Sequence, residues 1–319
     1  MSIYKQIQLE IENFDEILIL GHKKPDADCI GSQQALGWVL RKIYPHKKIF
    51  TPYDNRRVKF LNFLKTDKTS INENTNFQNA LLILVDCNKL ERTDYPEIKN
   101  KKTVVIDHHE IDQKLKTNLN WIDESRASCT EMILELFLEL NWKIDVEIAT
   151  LLYCGMIMDN GNFTYNKVNK RSFELAAKLM KYKIPLRKID YKINKINRED
   201  FEIKKFVMNN LEWYENYVIF RFFPEDKKKI SITSDHQLTR HINIVKNIEN
   251  LQFWIFFVQI EKDEMINCSL RSRENVNVRD IAKKFNGGGH LNAAGIKLKN
   301  KSDVEVIIQE TVKQLPQNE

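Results

Sequence analysis

The sequence predicts an α/β protein: a first domain on a parallel sheet with helices on both faces, a helical connector, and a smaller α/β domain at the C-terminal end. Short apolar runs alternate with helix-period segments through the first part of the chain, the pattern of parallel strands joined by crossover helices. Three of those runs end directly on acids and histidines. Ile17-Leu18-Ile19-Leu20 leads into Gly21-His22-Lys23-Lys24-Pro25-Asp26-Ala27-Asp28, Leu81-Leu82-Ile83-Leu84-Val85 into Asp86, and Thr103-Val104-Val105-Ile106 into Asp107-His108-His109. In an open parallel sheet, ligands bind outside the carboxyl ends of the strands. If the three runs are neighbouring strands, their tips pool about seven oxygen and imidazole ligands, more than one metal ion needs and suited to a pair. At 319 residues the chain suits two domains, each able to bury a core.

The elements follow in order. Ile3, Ile7, Ile11 and Phe14 recur at helical spacing and predict an amphipathic helix packed on the first domain. A strand at about 17–22 precedes a helix at about 30–43, a short strand at 48–51, a helix at 56–64, and strands at 81–86 and 103–107. Ser128-x-x-Glu131 is a capping box opening a helix through Leu140. A helix at about 145–158 delivers Asp159 at its end, and one at 170–182 closes the domain. Residues 1–185 form this domain, 186–212 a Lys-, Asn- and Ile-rich helical connector, and 213–319 the second domain. Its strands fall at 217–222, 253–260 and 265–271, and a helix at 278–285 leads into a triple glycine. Ser302-x-x-Glu305 is a second capping box, opening a last helix to about Gln314, and the tail after Pro316 frays.

Composition narrows the class. Hydrophobic content of 42% with 29% charged residues belongs to soluble globular chains. No segment reaches the roughly 18 apolar residues that span a bilayer, and the N-terminus lacks an apolar signal region, so a cytoplasmic protein without membrane contact is expected. The five cysteines, odd in number and without zinc-type spacing, read as reduced thiols. Cys29 and Cys87 adjoin the acids and read as small packing residues. Eight of the nine glycines lie in or beside the motifs, Gly37 being the exception, which argues for special backbone geometry there. The net charge of +6 suits an anionic substrate, although most of these lysines read as solvated helix faces.

Taken in series, these motifs resemble the DHH phosphoesterase family. His22-Lys23-Lys24-Pro25-Asp26-Ala27-Asp28-Cys29-Ile30-Gly31-Ser32 follows its His-x-x-Pro-Asp-x-Asp-x-x-Gly-Ser motif, and Asp107-His108-His109 is the naming motif. Asp159, within Gly155-Met156-Ile157-Met158-Asp159-Asn160-Gly161, would be a further acid, although many relatives have Asp-Thr-Gly there. Gly287-Gly288-Gly289-His290-Leu291-Asn292-Ala293-Ala294-Gly295 is similar to the motif of the DHHA1 accessory domain. The resemblance implies that His22 and Asp26 hold one ion, and Asp28, His108 and Asp159 the other. Asp86, alone and central on its strand tip, is the expected bridge. A mixed carboxylate and imidazole set favours two Mn²⁺, with Mg²⁺ or Co²⁺ as substitutes. His109 would face the substrate phosphate or assist proton transfer, and Asp107 would orient an imidazole.

In the second domain the glycines 287–289 can present backbone N–H groups to a phosphate, and His290 adds a donor. By resemblance Arg271 is the phosphate clamp, since Arg forks two hydrogen bonds to phosphate. Arg273 and Arg279 read as readily as solvated surface charge. The size and layout resemble the stand-alone nanoRNA phosphodiesterases and phosphoadenosine-phosphate phosphatases of the family. Expected substrates are short RNA and linear dinucleotides, cut 3′–5′, with 3′-phosphatase activity on phosphoadenosine phosphate. The alternatives are a cyclic di-AMP phosphodiesterase and a catalytically silent nucleotide sensor; relatives often form a homodimer, and the sequence leaves the oligomeric state of this chain open. A pyrophosphatase is disfavoured because that branch carries a different C-terminal domain.

Overall fold

The computed structural model describes residues 1–53, 77, 79–98, 101–110, 117–260, 264–273 and 276–315, with backbone alone at 227–229. The helix expected at 56–64 and the tail after Pro316 lie outside them. The chain divides into two compact units, Met1–Lys195 and the remainder from Ile196. That division falls inside the stretch read as a connector, whose two helices belong to different units.

In the first unit, strands β1 (Glu16–Leu20), β2 (Lys48–Phe50), β3 (Leu81–Val85), β4 (Thr103–Asp107) and β5 (Leu119–Ile122) form one parallel sheet in the order β2-β1-β3-β4-β5. β3 and β4 are buried at every residue, as expected for strands covered on both faces. β5 has no counterpart in the sequence reading. Leu119-Asn120-Trp121-Ile122 is short and carries an exposed Asn, and its pairing with β4 makes it a strand.

Helices α1 (Ile3–Glu12), α2 (Ala27–Ile43), α3 (Cys129–Glu139), α4 (Val146–Asp159), α5 (Lys170–Met180) and α6 (Leu186–Asn194) share one core with Ile17, Ile19, Leu81, Ile83, Val104 and Ile106. Leu18, Leu20, Leu82, Leu84 and Val105 point to the other face, where they meet Phe77, Ala80 and Tyr95. α2 starts earlier than its apolar period suggests because Asp26 caps it, accepting from the N–H groups of Asp28 and Cys29. Ser128 caps α3 by accepting from the Glu131 N–H. α2 and α4 cross at glycines. A Cβ on Gly31 would lie 2.8 Å from the Leu151 carbonyl oxygen, and one on Gly155 would lie 2.5 Å from Thr130 Cγ2 and 3.0 Å from Asp28 Cα. Small residues at these two positions let the helix carrying Asp159 lie against the start of the helix carrying Asp28.

The second unit holds α7 (Arg198–Asn209), β6 (Leu211–Trp213), β7 (Tyr217–Phe222), α8 (His236–Thr239), β8 (Phe253–Val258), β9 (Ile266–Ser272), α9 (Val278–Lys284), β10 (Gly288–His290), β11 (Ala293–Leu298) and α10 (Ser302–Val312). Its six strands run in the order β10-β11-β9-β8-β7-β6, antiparallel except for β7 beside β8. α9 and α10 pack on one face, while α7 and the turns around Leu238 and Val245 pack on the other. Two expectations are corrected. The triple glycine, read as backbone open to a phosphate, is in part a strand: Gly288, Gly289 and His290 pair with β11 as a hairpin. Ser302 is the first residue of α10 rather than its cap, and the Lys301 N-cap makes no side-chain capping bond.

Candidate metal centre

The strand order reverses between β1 and β3, since the chain adds β2 on one side of β1 and β3, β4 and β5 on the other. A crevice forms outside the strands at such a switch point. His22 follows β1 and Asp86 follows β3 at this place, with Asp107, His108 and His109 at the tip of β4 alongside. Asp86 sits at φ 54°, in the left-handed region that Asp tolerates better than most residues, while its N–H donates to the Ile106 carbonyl of the neighbouring strand. The turn aims its carboxylate across the strand tips. Oδ2 lies 3.4 Å from His22 Nε2, and Oδ1 lies 3.3 Å from His108 Nε2. His108 Nε2 is also 3.4 Å from Asp159 Oδ2 and 3.7 Å from Asp28 Oδ2.

Among the described residues, three groups of side chains bring ligand atoms within 4.8 Å of one another: His22, Cys29 and Asp86; Asp86, His108 and His109; and Asp28, His108 and Asp159. Asp86 and His108 each belong to two groups, which places Asp86 at the middle of the set. Asp26 stands at the edge. One oxygen caps α2, the other is 3.9 Å from His22 Nε2, and its side chain is 54% exposed.

The surroundings hold these groups in place. Asp28, buried in the first turn of α2, accepts from the N–H groups of Cys129 and Thr130 and from the Thr130 hydroxyl. These are first-turn donors of α3, which lack intrahelical acceptors and favour a negative charge. His108 Nδ1 lies 3.3 Å from the Arg126 carbonyl, a contact that puts the proton on Nδ1 and leaves Nε2 for a ligand role. Buried Arg126 is itself anchored by Asp123 and Glu135. Asp107 Oδ1 is 2.8 Å from His109 Nδ1 and accepts from the His108 N–H, so it orients the adjacent imidazole. Lys167, on the loop after Asp159, donates to the His108 carbonyl at 3.4 Å. Sequence reading missed Arg126, Thr130 and Lys167, because each acts through a backbone group or a contact made by the fold. Ser128, read as the start of a helix and observed as the cap of α3, was the available signal for the N–H donors that Asp28 meets.

Residues 16–156 match the DHH family, N-terminal domain, and residues 214–317 match the DHHA1 domain. The chain is 33% identical to the bifunctional oligoribonuclease and PAP phosphatase NrnA of Mycoplasma genitalium, over 97% of this chain and 96% of that one. The chain belongs to the DHH/DHHA1 phosphoesterase family. It is also 30% identical to the protein of the same name from Bacillus subtilis, covering 93% of this chain and 94% of that one. The fold is shared with an exopolyphosphatase-related protein of Bacteroides fragilis, with TM-score 0.84 and 24% identity over 98% of this chain and 96% of that one.

DHH phosphoesterases depend on divalent metal, and the residues here fit such ions. Asp86 Oδ1 and His108 Nε2 are buried, and neither makes a hydrogen bond of acceptable geometry, as expected of atoms reserved for a cation. Electrostatics agrees. Burial opposes charge on His22 and His108, yet the Asp86 carboxylate outweighs it and raises them to about 9 and about 10. Burial raises Asp86 as well, but the imidazoles of His108 and His22 hold it well below the usual carboxylate range. Burial, with Asp86 nearby, pushes Asp28 well above that range and Asp159 up to about 6. The protonated imidazoles thus stand where a cation would neutralise three crowded carboxylates.

In the DHHA1 unit, Arg271 on β9 pairs across the sheet with Ala293, which pairs with His290 on β10. Residues directly opposite in antiparallel strands share a face, so Arg271 and His290 flank a platform of small residues. His290 and Gly288 are exposed. A Cβ on Gly288 would meet nothing within 4 Å, whereas one on Gly287 would lie 2.3 Å from the Gly295 carbonyl oxygen. Gly289, at φ 142°, would place a Cβ 2.3 Å from the Ala293 carbonyl oxygen. Gly287 and Gly289 are therefore required by the hairpin itself, and Gly288 leaves open surface.

Proposed function

We propose that this protein is a Mn²⁺-dependent phosphodiesterase of very short RNA and linear dinucleotides, acting 3′–5′, with 3′-phosphatase activity on phosphoadenosine phosphate. The carrying observation is the cluster around Asp86, whose two carboxylate oxygens face imidazoles from two different strand tips. The substrate class follows the names of the Mycoplasma genitalium and Bacillus subtilis relatives, which match this chain over more than nine-tenths of its length.

His22, Asp26 and Asp86 would hold one cation, and Asp86, Asp28, His108 and Asp159 the other. When bound, such a pair supplies Lewis acidity and an activated water. With its Nδ1 proton given to Asp107, His109 keeps Nε2 as the atom that takes or returns a proton beside the scissile phosphate. Arg271 and His290 would hold a substrate phosphate on the DHHA1 sheet, Arg through a forked pair of hydrogen bonds.

The test is a panel of a diribonucleotide, linear di-adenylate, phosphoadenosine phosphate and cyclic di-AMP at equal concentration with Mn²⁺. Fastest turnover of the linear dinucleotides and phosphoadenosine phosphate is expected. Preference for the cyclic substrate, or binding without turnover, would replace the reading with a cyclic dinucleotide phosphodiesterase or a silent sensor.

A further inference from the structure

Cys29 contributes to the first ligand group, where its Sγ lies within 4.8 Å of a His22 nitrogen and an Asp86 oxygen. We propose that Cys29 turns the His22–Asp86 end of the metal centre into a site for thiophilic divalent cations, Zn²⁺ or Cd²⁺, which take the thiolate as a third protein ligand and exclude Mn²⁺. The inference rests on the metal-centre reading above.

Imidazole, thiolate and carboxylate together are a zinc donor set, and soft thiolate selects such ions over Mn²⁺, which prefers oxygen. The fold makes room for the sulfur. A Cβ on Gly21 would lie 2.1 Å from Cys29 Sγ, so any other residue at position 21 would drive the thiol from its place. The thiol is also weakly engaged compared with its neighbours. Cys87 donates to the Lys89 carbonyl at 3.1 Å and Cys129 to the Ile106 carbonyl at 3.3 Å, whereas the Cys29 contact with the His22 carbonyl is 4.0 Å. Asp86, 3% exposed, supplies the buried charge at this end through Oδ2, 3.4 Å from His22 Nε2, while its Oδ1 faces His108 and His109. Binding forms one sulfur–metal bond and releases the thiol proton to solvent, with no change of oxidation state.

Chelator-treated full-length protein is titrated with Cd²⁺ while the ultraviolet thiolate-to-cadmium charge-transfer band is recorded. A parallel titration follows displacement of bound Mn²⁺ by electron paramagnetic resonance. The expected result is one sulfur-bonded Cd²⁺ per chain, whose band grows as Mn²⁺ is released. Cys29→Ala and Cys29→Ser should both lose the band and weaken Cd²⁺ binding by at least about tenfold, about 1.4 kcal/mol. Cys87→Ala should keep the band. If Cd²⁺ displaces Mn²⁺ in the unaltered protein with no sulfur band, or if the band survives in Cys29→Ser, Cys29 is no ligand and the proposal falls while the metal centre stands. If neither Mn²⁺ nor Cd²⁺ binds, the metal centre itself is wrong and this proposal goes with it.

Discussion

Asp86 is constrained twice, once by a left-handed backbone and once by the imidazoles its carboxylate faces. Asn shares the tolerance for that backbone, so Asp86→Asn separates the charge from the turn. It should fold, lose both Mn²⁺ ions by elemental analysis, and lose turnover with them, while Asp26→Asn keeps most of the metal because Asp26 sits at the exposed edge. Retention of two ions by Asp86→Asn would mean another acid is the bridge. Asp28 carries an added structural load through its three bonds to the start of α3. A pH dependence also follows. His22 and His108 are raised from 6.5 to about 9 and about 10 in the folded, metal-free chain. Their stabilisation is complete below the unfolded value and disappears as pH rises through the folded values. Thermal melts of chelated protein should therefore show falling stability from about pH 6.5 to about 10. Mn²⁺ affinity should rise over the same window, because binding releases those protons. Flat melts and a pH-independent affinity would deny that these imidazoles carry the cluster's charge.

Between elements, the contact of α2 with α4 sets where Asp159 stands. Gly155 lies one turn before Asp159 on the same face, against Asp28 Cα. Ala is the better helix former by about 1 kcal/mol, but its Cβ would lie 2.5 Å from Thr130 Cγ2. Overpacking costs about 1–3 kcal/mol, so crowding should win. Gly155→Ala is expected to lower the melting temperature and weaken Mn²⁺ binding together; an unchanged affinity would show that Asp159 does not depend on this packing. Much of this scale was legible in sequence. β1, β3 and β4 announce themselves as apolar runs ending on acids and histidines, and Asp159 falls at the last turn of α4. β5 and the β10–β11 hairpin were not legible, since Asn120 interrupts one and glycines carry no strand preference in the other. The Arg126 carbonyl beside His108 leaves no trace in residue type, because any residue offers a carbonyl.

At the scale of the molecule, the proposed metal ligands all come from the first unit, and Arg271 and His290, proposed to hold phosphate, from the second. Arg271→Ala should keep both metal ions and raise KM by the equivalent of about 1.5–3 kcal/mol, the worth of a charged hydrogen bond made in both ground and transition state. Residues 1–195 expressed alone should bind Mn²⁺ yet cleave dinucleotides poorly. If Arg271→Ala and His290→Ala both leave KM and kcat unchanged, the DHHA1 unit does not hold substrate. The most direct test of the whole account is reconstitution by counted metal. Protein stripped by chelator and dialysis is reloaded with known equivalents of Mn²⁺, and diribonucleotide turnover is measured at each step. The account predicts no turnover without metal and a rate that saturates at two ions per chain; full turnover in excess chelator, or saturation at one ion, would contradict it.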